Sequence, residues 1–152
     1  MSKRMLHLWI RAEQRKNEKR VGVTPRDASK LICKGVKVTV EESADRIIST
    51  EEYHKVGCKI ANQHSWLKAP NDAIILGLKE LSEDVEKLEH KHIMFGHAFK
   101  GQTSGLKLLK KFKAGKGLLY DLEYLTDPEG RRLAAFGYWA GYAGAAVSLK
   151  AY

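Results

Sequence analysis

Short apolar runs recur along this chain at a spacing that admits few folds. Residues 6–10 (Leu6-His7-Leu8-Trp9-Ile10), 36–40 (Val36-Lys37-Val38-Thr39-Val40), 59–61, 73–78 (Ala73-Ile74-Ile75-Leu76-Gly77-Leu78), 92–96 and 117–125 each have the length and apolar content of a strand. Helix signals separate them. Thr24 is placed as an N-cap, Pro25 at the first helical position and Asp27 at the positive end of the dipole, with Ala28, Leu31 and Ile32 as the buried face and Gly35 as the stop. A second short helix starts at Ser49 and ends at Gly57, and a third lies between Thr103 and Gly115. Strands alternating with helices in this way predict an α/β fold, a Rossmann-like, mostly parallel sheet with helices on both faces.

Some details follow from the pattern. The alternation in 36–40 predicts a strand with one wetter face, and Ala69-Pro70-Asn71-Asp72 predicts a turn. Leu106, Leu109 and Phe112 are expected to form the buried side of the third helix, leaving Lys107, Lys110, Lys111, Lys113 and Lys116 mainly on a solvated side. From Ala134 onward, Phe136, Tyr138, Trp139, Tyr142 and Val147 alternate with Gly and Ala. This predicts a helix that is apolar nearly all round and is buried against another domain or subunit.

With 152 residues, 43% of them apolar and 30% charged, the chain suits one globular domain. No apolar run approaches the roughly 18 residues that span a bilayer, so no membrane role is expected. Residues 1–4 lead into a strand without a cleavable signal pattern, which makes a cytoplasmic location the expectation. Cys33 and Cys58 have no metal-ligand or redox spacing and are expected to be small buried thiols. The net charge of +9 favours anionic partners. Nucleic acid is not among those expected, because no aromatic residues interleave the lysines as stacking platforms.

Two titratable residues end successive apolar runs: Lys79 follows 73–78, and His97 follows 92–96. The carboxyl ends of strands in an open α/β sheet face the ligand crevice, so the pair are candidates for acid/base work. Each has a plainer reading, since strand ends often carry a solvated lysine or a hydrogen-bonded structural histidine. Arg20, just ahead of a helix N-terminus, is placed to hold a carboxylate, although a surface arginine fits the same position. Arg131 and Arg132 follow the turn Asp127-Pro128-Glu129-Gly130. Neighbours on an extended chain point opposite ways, so at most one enters a site.

Several chemistries find no motif. Gly137, Gly141 and Gly144 do not make the G-x-G-x-x-G dinucleotide fingerprint, so no cofactor site is assigned, and P-loop and nucleophile-elbow patterns are missing.

Arg11-Ala12-Glu13, the stretch from Glu18 to Pro25, and Gly77-Leu78-Lys79-Glu80 together resemble the N-terminal domain shared by alanine dehydrogenase, transhydrogenase and saccharopine dehydrogenase. Three further segments, 92–100, 119–125 and 130–137, resemble the NAD-dependent, lysine-forming saccharopine dehydrogenase family in particular. That resemblance implies a substrate-side domain over 1–135 and a helix over 136–152 that leads into an NAD-binding domain. It implies oxidation of saccharopine to an imine, then hydrolysis to lysine and 2-oxoglutarate. Lys79 would take the proton from the secondary amine, and His97 would serve hydration and collapse of the imine. Arg20 and Arg132 would hold substrate carboxylates. Glu18, Glu80, Glu123 and Lys100 match charged positions that tune the pair. NAD is implied as cofactor, held by a domain outside these residues or in another chain, with self-association through the last helix as the other route.

Two further functions fit the same residues. One is a non-catalytic module that binds a carboxylate or an amino acid, and the other is a structural or regulatory subunit that uses the apolar last helix.

Overall fold

The computed structural model of the chain describes residues 5–99, 101, 103–135 and 137–150. They form two units, which meet in sequence between Asp121 and Leu122.

In the first unit, β1 (His7–Ile10), β2 (Lys37–Glu41), β3 (Lys59–Ala61), β4 (Ala73–Leu76), β5 (Lys91–Met94) and β6 (Leu118–Asp121) form one sheet. The strand order is β3-β2-β1-β4-β5-β6 and every neighbouring pair is parallel. The order reverses beside β1, where Ile10 is flanked by Val40 on one side and Leu76 on the other. In a doubly wound sheet this reversal opens a crevice above the strand ends.

Three helices belong to this unit: α1 (Pro25–Cys33), α2 (Thr50–Lys55) and α3 (Thr103–Gly115). The α1 start follows the sequence signals. Thr24 Oγ1 accepts from the Asp27 amide at 3.3 Å and its hydroxyl donates to the Asp27 carboxylate at 2.7 Å. Such a cap contributes about 1 kcal/mol. One core joins Leu8, Ile10, Val38 and Val40 to Ala28 of α1 and Tyr53 of α2. The other joins Trp9, Ile75 and Met94 to Trp66, Leu88 and Phe112.

Four local expectations need correction. No face of β2 is wet from Val38 to Glu41, because the sheet is covered on both sides and the polar side chains are paired internally. Thr39 Oγ1 meets His7 Nε2 at 2.8 Å. The Glu41 carboxylate accepts from Trp9 Nε1 and from the amides of Ala12, His64 and Trp66. A buried carboxylate so satisfied is structural.

The buried stripe of α3 is Gly105, Leu108 and Phe112, whereas Leu106 is 63% exposed. Steps of three drift around a helix of 3.6 residues per turn, and the spacing i, i+3, i+7 holds one face. The last strand stops at Asp121, and Leu122–Tyr124 form a 3-10 turn in place of its continuation. Cys33, expected to be buried, is exposed at the end of α1, while Cys58 is buried.

In the second unit Thr126 and Arg132 form an antiparallel bridge around the turn at Gly130, and α4 spans Gly137–Lys150. Tyr138, Trp139, Tyr142, Val147 and Leu149 of α4 are exposed, and the Trp139 ring meets those of Tyr138 and Tyr142 edge-on. Phe136 lies outside the described residues. Among the described residues no helix is long and apolar enough to cross a membrane.

Candidate functional site

Beyond their last residues, β4 and β5 continue side by side. The Gly77 amide donates to the Ile93 carbonyl at 3.1 Å, and the Phe95 amide donates to the Leu78 carbonyl at 3.3 Å. Lys79 and His97 leave the sheet directly after this paired stretch, at matching offsets from the ends of neighbouring strands.

The Lys79 backbone is held from below by the residues that follow β1. Glu13 accepts from the amides of Leu78 at 2.6 Å and Lys79 at 3.0 Å. Arg11, with only 1% of its side chain exposed, donates to the carbonyl of Lys79 and pairs with Glu13 at 3.4 Å. Burial depresses the Arg11 proton affinity, and the Glu13 and Glu41 carboxylates oppose that shift. A Cβ at Gly77 would meet the Arg11 guanidinium, so any larger residue there must push that side chain aside. Arg11 and Glu13 thus have a positional role that sequence patterning does not assign. The available signal is a charged pair directly after an apolar strand, where the switch-point crevice begins.

Arg20 and Glu18 line a small pocket together with Arg11, Glu13, Gly77 and Leu78. Arg20 Nε and Nη2 donate to the Glu18 carboxylate at 2.8 and 2.6 Å, and the Arg20 amide adds a third bond. The hydrogen bond from the Arg20 side chain leads the causes that hold the Glu18 carboxyl below its usual range, and Lys79 contributes to the same shift. In return, Glu18 raises the proton affinity of Arg20. The Arg20 side chain is 48% exposed, so its guanidinium can be approached from solvent while it holds Glu18.

His97 stands on a different wall. It lines a cleft of about 660 Å³ between residues 80–83 and α3, together with Glu80 and Lys107. Its backbone is in the left-handed region at φ 47°, a conformation that a non-glycine residue adopts only where its surroundings impose it. Gly105 of α3 supplies part of that constraint, packing so closely on the Ala98 carbonyl that a Cβ would lie 2.6 Å from it. Glu80 is largely exposed and pairs with Arg15 at 3.4 Å.

In the second unit the two adjacent arginines diverge. Arg131 binds Asp127 at 2.8 Å within the turn, whereas Arg132 reaches Glu123 at 3.4 Å and the Ala134 carbonyl at 3.3 Å. Arg132 and Glu123 therefore form one charged group. Lys100, the remaining candidate, lies outside the described residues.

The crevice above β1 does not suit a dinucleotide. A pyrophosphate is bound by glycine amides at the first strand-helix turn, and here that connection presents Glu13 and Glu18 beside the buried Arg11. Both carboxylates are engaged there, Glu13 by Arg11 and Glu18 by Arg20, in place of a row of glycine amides. Among the described residues no group of three or more His, Cys, Asp or Glu is placed to hold a metal ion.

Residues 9–143 match the family model of the alanine dehydrogenase/PNT N-terminal domain. The chain is 51% identical over 144 residues to saccharopine dehydrogenase (NAD(+), L-lysine-forming) of Emericella nidulans, covering 94% of this chain and 38% of that protein. It is 48% identical over 143 residues to the protein of the same name from Schizosaccharomyces pombe, covering 93% of this chain and 39% of that one. Among solved structures, an L-alanine dehydrogenase superposes with a TM-score of 0.65 at 16% identity, over 82% of this chain and 34% of that one. That likeness speaks to fold. The chain spans about two fifths of the length of the curated relatives it matches.

Proposed function

Because this chain belongs to the alanine dehydrogenase/PNT N-terminal domain family, we propose that it is the substrate-side portion of an NAD-dependent saccharopine dehydrogenase. The overall reaction on this reading is saccharopine, NAD+ and water giving lysine, 2-oxoglutarate, NADH and a proton. The oxidant is bound by a portion of longer protein outside these residues, or by a partner chain. The apolar α4 is the element that such a portion would cover, with self-association as the other means of covering it. A cytoplasmic location goes with this reading.

The observation that carries the proposal is the placement of Lys79 at the topological switch point, with its backbone clamped by Arg11 and Glu13 and with Glu18 and Arg20 beside it. Lys79 Nζ takes the proton from the substrate's secondary amine as the adjacent carbon is oxidised. His97 moves protons during addition of water to the imine and release of the amine. Arg20 holds one substrate carboxylate, and Arg132 holds another. Glu18, Glu80, Glu123 and Lys100 set the electrostatic surroundings of the two bases. A reaction with two successive proton transfers is served by two bases in unlike surroundings, which agrees with Lys79 beside Glu18 and His97 in the α3 cleft.

The test is complementation. The chain, mixed with a separately produced NAD-binding portion of a relative, is expected to oxidise NADH when given lysine and 2-oxoglutarate, and Lys79→Met is expected to abolish this. A well-folded pair that shows no turnover with Lys79 and His97 intact would overturn the proposal.

A second reading is a non-catalytic carboxylate-binding module, supported by the half-exposed Arg20 guanidinium at the crevice. Calorimetry separates the two, since 2-oxoglutarate binding abolished by Arg20→Ala without turnover in any pairing supports the module.

A further inference from the structure

Arg46 carries a donor that the chemistry assigned to Lys79 and His97 does not use. It sits in the connection from β2 to α2, and since β2 and β4 flank β1, Arg46 and Lys79 follow strands on opposite sides of β1. Nη1 of Arg46 donates to the Glu41 carbonyl at 2.8 Å, and the guanidinium stands 5.5 Å from the centroid of the Tyr53 ring. Nη2 is buried and has no hydrogen-bond partner among the described residues. Burial depresses the proton affinity of Arg46, while Tyr53, Glu41 and Glu13 oppose that shift. A guanidinium stays charged in a protein, so a buried N–H of this kind calls for an acceptor.

Arg46 lines the small pocket at the switch point, whose charged lining is Arg11, Glu13, Glu18, Arg20 and Arg46. Arg20 supplies both side-chain donors and an amide to Glu18. Glu13 accepts from the Leu78 and Lys79 amides and pairs with Arg11. An ionised carboxylate has about four acceptor sites, so Glu13 keeps room for a further donor. The pocket volume of about 20 Å³ admits one water, which needs roughly 10–15 Å³, and lies far below the roughly 300 Å³ at which small-molecule sites begin. An occupant that satisfies this lining accepts from a cationic N–H and donates to a carboxylate. Water does both, whereas a halide has no proton to give and a metal ion no lone pair to offer.

We propose that this pocket binds one water that accepts from Arg46 Nη2 and donates to the Glu13 carboxylate. Arg46 is thereby a positioning residue, acting through the water and Glu13 on the backbone of Leu78 and Lys79. Two arginines then hold Glu13, Arg11 directly and Arg46 at one remove. The bound water does not depend on the reaction, while its meaning for catalysis rests on Lys79 being the base.

A crystal structure of the whole chain is expected to show a water within about 3.2 Å of both Arg46 Nη2 and a Glu13 oxygen. This measurement decides the water without any variant. Hydrogen exchange then reads what Arg46 does. In Arg46→Met, checked for unaltered circular dichroism, exchange at the Leu78 and Lys79 amides is expected to accelerate about threefold or more relative to Ile75 within β4. Adding Arg46→Met to Glu13→Gln is expected to bring little further local acceleration, because the two side chains act in series. Any of four results would overturn the proposal: Arg46 Nη2 bonded directly to a protein acceptor, the pocket filled by a side chain, acceleration at Ile75 equal to that at Leu78 and Lys79, or fully independent effects in the double variant. None of them bears on turnover in the complementation test, so the catalytic reading stands or falls separately.

Discussion

Gly77 and Arg11 are fitted to each other: the guanidinium of Arg11 lies where a Cβ on residue 77 would be, directly beneath the backbone that carries Lys79. Gly77→Ala must displace a buried cation from its carbonyl and carboxylate partners. Overpacking costs about 1–3 kcal/mol, and breaking a buried pair about 3–5 kcal/mol. A loss of about 3 kcal/mol or more in urea unfolding is expected. A change within about 0.5 kcal/mol would show that the fit is loose.

Glu13 ties down the same backbone through two amides. Glu13→Gln keeps the shape but gives only one acceptor oxygen and leaves Arg11 without its nearest carboxylate. Hydrogen exchange at the Leu78 and Lys79 amides is expected to accelerate more than at Ile75 within β4. Uniform acceleration would mean that Glu13 stabilises the whole sheet rather than the Lys79 turn.

Gly105→Ala sets two effects against each other. Gly105 lies in the first turn of α3, where replacing glycine by alanine gains at most about 1 kcal/mol of helix propensity. The new Cβ meets the Ala98 carbonyl at 2.6 Å, and relieving that contact moves the segment that carries His97. Overpacking at about 1–3 kcal/mol is expected to win. The variant should be destabilised and the His97 ring resonances shifted. A stabilised variant with unmoved His97 resonances would show that α3 gives way instead.

His92 is buried between Trp66 and Phe112, and its Nε2 has no hydrogen-bond partner among the described residues. Burial lowers its pKa from 6.5 to about 3. Over that window the unfolded chain binds the proton more readily, so stability is full above the unfolded value and is lost as pH falls from 6.5 toward 3. The slope approaches at most about 1.4 kcal/mol per pH unit. His92→Phe is expected to flatten it between about pH 6 and pH 5, before carboxylates such as Glu18 titrate. Urea midpoints across that interval check this, and equal slopes in both proteins would exclude His92 as the source.

Much of the first unit was legible because its signals are local. Thr24, Pro25 and Asp27 start α1 through contacts within one turn, and Ser49 starts α2 in the same way. The apolar run ending at Leu78 marks β4 and its extension because burial on both faces demands continuous apolar side chains. Trp66 is buried from a single 3-10 turn within 61–69, where no periodic pattern can form. Leu106 was misleading because it shares a three-residue step with Leu109 and Phe112, while the contact between Gly105 and Ala98 sets the orientation of α3.

By itself the sequence determined the alternation of strands and helices, and with it a sheet whose strand ends carry Lys79 and His97, since propensity, caps and apolar runs act over a few residues. Tertiary structure decided which charges meet. Arg11 reaches the Lys79 carbonyl, Glu41 gathers amides from Ala12, His64 and Trp66, and Lys107 turns toward a cleft floored by Met94. Those relations join segments far apart in the chain. They exist only because β1 lies between β2 and β4, an order that burial of both sheet faces selects and no local pattern encodes.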